Sequence, residues 1–197
     1  MLVLTVALIE SSVQPGGRAP APEPLALVQA FVNTVDREHG PDLLDDPDDL
    51  VAWAEYRGLE PPAVIEHARE VREALRTLLW ANQAPPARIP PEGASGPVSA
   101  PEPDAVAAAY AVLDAATARL SPRFAPLRLE GDDALAAVLS AAFLAIADGS
   151  WTRLKACPGH RCGWAFYDRS VNGSATWCSM RVCGNRAKTR AYYSRRR

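Results

Sequence analysis

The chain of 197 residues contains no apolar run that reaches the roughly 18 residues a membrane helix requires. Its apolar opening, residues 1–9, is short and has no basic stretch ahead of it, which argues against a secretory signal. That opening reads as a buried strand, or as the product of a misassigned start codon. Enzyme signatures are missing as well: there is no Gly-rich phosphate loop, no G-x-S-x-G elbow and no H-E-x-x-H pair. Carboxylates are plentiful, but they fall mostly at helix starts and on helix faces, so no catalytic constellation emerges and no enzyme is expected. Cysteine is scarce. There are four, all within the last 41 residues. With no export signal, the expected location is the cytoplasm, where thiols stay reduced and available to a metal.

The four cysteines form two C-x4-C pairs, Cys157 with Cys162 and Cys178 with Cys183, separated by fifteen residues. Four soft thiolates suit one tetrahedral Zn2+. The spacing resembles the paired-cysteine zinc pattern, and an x4 gap lies within the usual range of about two to four residues. Four thiolates close the coordination shell, so the zinc should be structural rather than catalytic. His160, inside the first pair, could replace a cysteine, but the four cysteines already complete the site. Gly163 suits a tight knuckle. Trp164–Asp168 reads as an aromatic strand, the Asn172-Gly173 turn as a hairpin bend, and Ala175–Trp177 as the returning strand. From Ser179, a plausible N-cap, the chain turns helical. Knuckle, hairpin and ligand-bearing helix make a treble-clef zinc finger.

The run from Cys162 to Lys188, and above all Trp177-Cys-Ser-Met with Cys183-Gly-Asn-Arg186, resembles the CGNR zinc-finger family. Phe31-Val-Asn-Thr-Val-Asp36 is similar to the opening motif of the ABATE domain that precedes such fingers. The resemblance implies a stress-related transcription regulator. It is very specific at the C-terminus and weakest from 85 to 130.

The net charge of −2 hides a division. Residues 151–197 hold eleven Lys/Arg against one Asp, and residues 1–150 hold ten against twenty-two Asp/Glu. An acidic body with a basic tail points to a polyanionic partner. The expected division is a body over 1–150, α+β and mostly helical with short strands, and a finger over 151–197. Within the body, residues 11–24 read as loop. Helices are expected from Pro24 to about Val35, from Asp46-Pro47 to Gly58, from Pro61-Pro62 to Leu79, from Asp104 to about Leu120, and from Asp132 to Asp148. Leu127–Leu129 is a candidate strand, and residues 84–103, with seven prolines, a flexible or polyproline connection. Asn33 and Thr34 read as buried polar groups bonded to backbone. Glu73 is expected to pair with Arg69 and Arg76 on an outer helix face. Glu66, His67 and Glu70 read as a solvated face rather than a metal site. No linker separates the finger, so it should pack on the body. It should nonetheless unfold by itself when the metal is removed.

Function is expected to lie in the tail. Arg181, Asn185, Lys188 and Tyr192 share one helical strip, Arg186 and Arg190 another, and Arg195–Arg197 extend the field. Cationic groups neutralise phosphates, whereas Asn and Arg also make bidentate contacts to bases. Arg181, Asn185, Arg186, Lys188 and Arg190 are therefore the candidate contacts to DNA. Asn185 could equally brace the finger, and Gly184 could admit a phosphate or simply pack. A protein-interaction module and an RNA-binding protein are the alternatives. The body could sense a small molecule or a protein. A homodimer is one option for the assembly.

Overall fold

The structure, a computed structural model, describes residues 2–10, 14–83 and 101–194. Most of the Pro-rich 84–103 connection, residue 1 and the terminal arginines 195–197 lie outside the described residues. Helices α1 (Leu2–Glu10), α2 (Leu25–Val32), α3 (Pro47–Glu55), α4 (Ile65–Ala81) and α5 (Pro103–Thr117) lead to the hairpin β1–β2 (Ser121–Phe124, Leu127–Glu130). Helix α6 (Ala134–Ala147) follows, then the antiparallel pair β3–β4 (Leu154–Ala156, Ala165–Tyr167) and the terminal helix α7 (Asn185–Ser194). This is the α+β, mostly helical class expected.

Local chemistry sets most boundaries. Asp46 caps α3 by accepting the Asp48 N–H at 3.0 Å, with Pro47 at the first helical position. Asp133 caps α6 through the Ala136 N–H at 3.0 Å. Gly149 ends α6 in the left-handed conformation, φ +80°. The first segment departs from expectation: residues 2–10 are helix, not strand. Its β-branched residues favour a strand, but the segment pairs with neither of the two-stranded sheets. The segment packs on α3 instead, with Leu8 buried in the core.

One hydrophobic core joins body and tail. Phe31 and Trp53, ring centroids 5.6 Å apart, share it with Leu75 and Val138 and with Leu154, Ala156 and Ala165 of β3 and β4. Asn33 and Thr34 are buried and backbone-bonded as expected, Thr34 to the Phe31 carbonyl. Asn33 donates to the Ala165 carbonyl at 2.9 Å and accepts the Ala165 N–H at 2.7 Å, so it acts as a neighbouring strand would. Gln29 adds a bond to the same carbonyl.

The charges of α4 are also arranged differently from expectation. Glu73 does bind Arg76, at 3.1 Å, but Arg69 turns to Asp42 and Asp45. Nor is this an outer face. Arg72 and Arg76 are buried, Arg72 pairing with Asp42 through two bonds and Arg76 donating to the Val32 and Gly163 carbonyls.

Candidate metal centre and nucleic-acid interface

Cys157 leaves β3 and Gly163 returns toward β4, so the first cysteine pair closes the loop of the β3–β4 ribbon. The Cys157 N–H donates to the Trp164 carbonyl, Gly163 donates to the Cys157 carbonyl and Cys162 to the Gly159 carbonyl. The turn needs positive φ at Gly163 (+63°) and imposes it on Arg161 (+58°). Gly159 is required for another reason: a Cβ there would lie 3.0 Å from the Cys183 sulfur and 3.2 Å from the Cys162 Cβ. The second pair spans Ser179, and its Cys183 lies within a π-helical turn, Met180–Gly184, that leads directly into α7. Ser179 occupies the N-cap position with extended backbone but makes no side-chain cap bond.

The four sulfurs lie within 4.8 Å of one another. Cys162 to Cys178 and Cys178 to Cys183 are each 3.7 Å. Tetrahedral zinc with Zn–S bonds of about 2.3 Å places its sulfurs about 3.8 Å apart, whereas a disulfide requires about 2.05 Å. The donor set therefore fits one structural zinc. His160 is exposed and outside the cluster. Elemental analysis of the purified chain should give about one zinc per molecule; iron with a visible charge-transfer band would instead indicate an iron–sulfur centre.

The returning strand expected at 175–177 does not form. Side chains have taken its backbone groups. Lys155 holds the Gly173 and Ala175 carbonyls, Asp168 accepts the Ala175 N–H, and Gln83 reaches the Thr176 carbonyl. Arg18 donates to the Trp177 and Cys178 carbonyls at 3.0 and 2.7 Å and stacks over Phe166. β4 pairs backward with β3 instead. Residues 14–20, expected as plain loop, thus form a clasp over the second cysteine pair. A Cβ on Gly16 would come within 2.9 Å of the Ser179 hydroxyl.

Lys155 and Asp168 are fully buried partners at 2.8 Å. Burial pushes the Asp168 carboxyl up, but bonds from Lys155, Ser170 and Ala175 outweigh it and bring the pKa to about 2. A carboxyl held below its unfolded value of about 3.9 stabilises the fold above that value and loses the contribution as pH falls through the folded pKa. Asp168→Asn should therefore be less stable than wild type at neutral pH, with the gap in urea midpoints closing between about pH 4 and 2. Zinc release in acid affects both chains, so the difference reads Asp168. A gap independent of pH would refute the assignment.

The helix that leaves the metal buries none of its residues. No acidic residue follows Asp168 in the chain. Arg181, Asn185 and Lys188 are exposed, and Arg190 is half-buried. Asn185 donates to the Arg181 carbonyl at 3.3 Å. Arg186 is not free. It is paired with Glu38, in the body loop after α2. Gly184 packs internally: a Cβ there would meet the Met180 sulfur at 2.6 Å and Trp177 at 3.3 Å. Sequence reading missed Arg18, Gln29, Lys155 and Asp168, and it paired Arg76 with Glu73 but placed it on an outer face. The burial of Arg76 left a trace: with Ala68 and Arg72 it continues a four-residue spacing inside the apolar stripe.

Fold and site define a helical α+β body whose core continues into β3 and β4, with a four-cysteine structural zinc site in a second, smaller cluster beside it. Residues 153–196 match the CGNR zinc finger, and residues 25–150 match the ABATE family, described as "Putative stress-induced transcription regulator". The chain belongs to the ABATE family. Neither matched family is an enzyme family. No curated relative and no solved structure matches the chain. Among the described residues no helix is long and apolar enough to cross a membrane.

Proposed function

We propose that the chain is a zinc-dependent transcription regulator that binds duplex DNA through α7, and not an enzyme. The observation that carries this reading is an unburied basic helix that continues directly from the π-helical turn holding Cys183. Lys188, Arg190 and Arg181 supply phosphate contacts, Arg186 reads a base or a phosphate, and Asn185 braces the turn. In function the chain divides into a sensing body, 1–150, and a presenting finger, 151–197. Such a regulator works in the cytoplasm, where its thiolates stay reduced. The Arg186–Glu38 pair favours a second reading, in which α7 docks an acidic protein surface. In the DNA reading the same pair makes Glu38 a competitor of phosphate.

Duplex titrations across salt concentrations separate the two readings. Lys188→Ala should weaken binding to all sequences and reduce the salt slope by about one. Arg186→Ala should cost about 1–3 kcal/mol and relax sequence preference where it reads a base. Glu38→Gln should tighten binding a few-fold, since exposed ion pairs are worth about 0.2–1 kcal/mol. If the wild-type chain shows no salt-dependent affinity for any duplex, the DNA reading fails and the docking surface stands.

A further inference from the structure

Away from the zinc, α2, α6, β2 and the turn at residues 58–60 enclose a groove of about 500 Å³. Small-molecule sites usually span about 300–1,000 Å³. The floor is apolar and includes Leu27, Leu129 and Leu144, all half-buried. The cause lies in α6, which carries no charged residue along its whole length. Its core side is buried, and the side it leaves over is apolar too. A helix apolar all round is normally covered on every face.

The rim has the opposite chemistry. Glu23, Glu60 and Asp132 line it and are exposed. Glu60 and Asp132 make no ion pair among the described residues, whereas Glu23 lies in the field of Arg57 in the adjoining cavity. The other charges of the lining are occupied: Arg128 pairs with Glu130, and Asp133 caps α6. The groove therefore presents hydrocarbon below and unneutralised carboxylates above. An anion would meet like charge, and a plain hydrocarbon would leave the carboxylates unused.

We propose that this groove binds an amphipathic organic cation, an ammonium head on an apolar body, and that it is the effector site of the sensing body. The effector role rests on the regulator reading; the binding site does not. The placement suits a sensor. Leu27 of α2 lines the groove, while Gln29, two residues on, and Asn33, just past its end, hold the Ala165 backbone beside the metal loop. One short helix touches both ligand and finger.

The test uses the full-length, zinc-loaded chain and calorimetric titration. The probes are hexylamine and benzyltrimethylammonium, with hexanoate and hexanol as charge controls. Both cations should bind with Kd between about 10 μM and 1 mM. Hexanoate should not bind, and hexanol should bind at least about tenfold more weakly than hexylamine. The double variant Glu60→Gln/Asp132→Asn, which removes two exposed and unpaired charges, should lose about three- to tenfold in affinity for the cations. Its zinc content and circular dichroism should match wild type. Equal binding of hexanoate, undiminished binding by the double variant, or no binding of either cation at about 10 mM overturns the site. A duplex titration with and without hexylamine then tests the effector role. Cation binding that leaves a measurable duplex affinity unchanged overturns that role. Absence of duplex affinity in both arms counts against the DNA reading, and the groove is judged by calorimetry alone.

Discussion

Removing the zinc should unfold the helical body along with the metal site. The sequence suggested that the finger would melt and spare the body, because small metal modules are commonly unfolded without metal. The interior of the molecule argues otherwise. Leu154, Ala156 and Ala165 lie in the same core as Phe31, Trp53 and Leu75. If residues 154–183 unfold, Asn33 and Gln29 lose the Ala165 backbone, Arg76 loses the Gly163 carbonyl, and Trp80 loses the Cys157 carbonyl. These groups would then turn to water, on a wall that also bares the apolar residues packed against β3 and β4. Apparent zinc affinities of structural sites amount to about 10–16 kcal/mol. Whole domains are stable by only about 5–15 kcal/mol. Loss of the metal is therefore large enough to remove both parts. Hydrogen exchange after chelation, or in Cys178→Ser, should show protection lost in α2 and α4 together with residues 154–183. Intact protection in α2 and α4, beside an unprotected finger, would establish two independently stable units.

The metal site was legible in the sequence because its signal is local. Thiol spacing and the glycine of the knuckle depend on neighbouring residues, and they led to the four clustered sulfurs. Helices α2 to α6 were legible for the same reason: apolar periodicity, Asp46-Pro47 and Gly149 act over a few residues. The failures are non-local. Residues 175–177 have the aromatic and β-branched composition of a strand, yet their backbone partners come from Lys155, Asp168, Gln83 and Arg18. No pattern within the finger could reveal a guanidinium lying 159 residues earlier in the chain. Residues 2–10 failed because propensity cannot show that the segment's tertiary partner is a helix, α3. The basic strip was legible as charge, but the Glu38 partner of Arg186 was not, since it depends on how the body loop meets the finger.

Arg76→Met should be among the most destabilising single substitutions outside the cysteines. Arg76 is a buried cation, 1% exposed. Its guanidinium donates to the Gly163 and Val32 carbonyls, each at 2.6 Å, and to Glu73 at 3.1 Å. Burial lowers its pKa to about 10, against the pull of Glu73, so it is charged at neutral pH. Burial likewise pushes Glu73 up, but Arg76, Arg37 and Arg72 outweigh this and hold its carboxyl below the ordinary range. Methionine fills much of the same space and removes every donor. Two carbonyls, one at the end of α2 and one in the metal knuckle, then lose their partner in the interior. Glu73 keeps Arg37 and Arg72, so the loss falls mainly on the two carbonyls, and leaving both unsatisfied together with the lost packing costs about 3–5 kcal/mol. For a chain of this size that is a fall in Tm of roughly 6–20 °C. Arg76→Lys should recover only part of the loss, because an ammonium cannot span both carbonyls with the planar fork. The zinc-loaded variants should be compared by urea denaturation and by the rate of zinc transfer to a chelator. The knuckle carbonyl is freed in Arg76→Met, so zinc should leave faster as well. A variant less than about 1 kcal/mol below wild type, within the range of an ordinary surface pair, would show that Arg76 fills space and does not bind body to metal site.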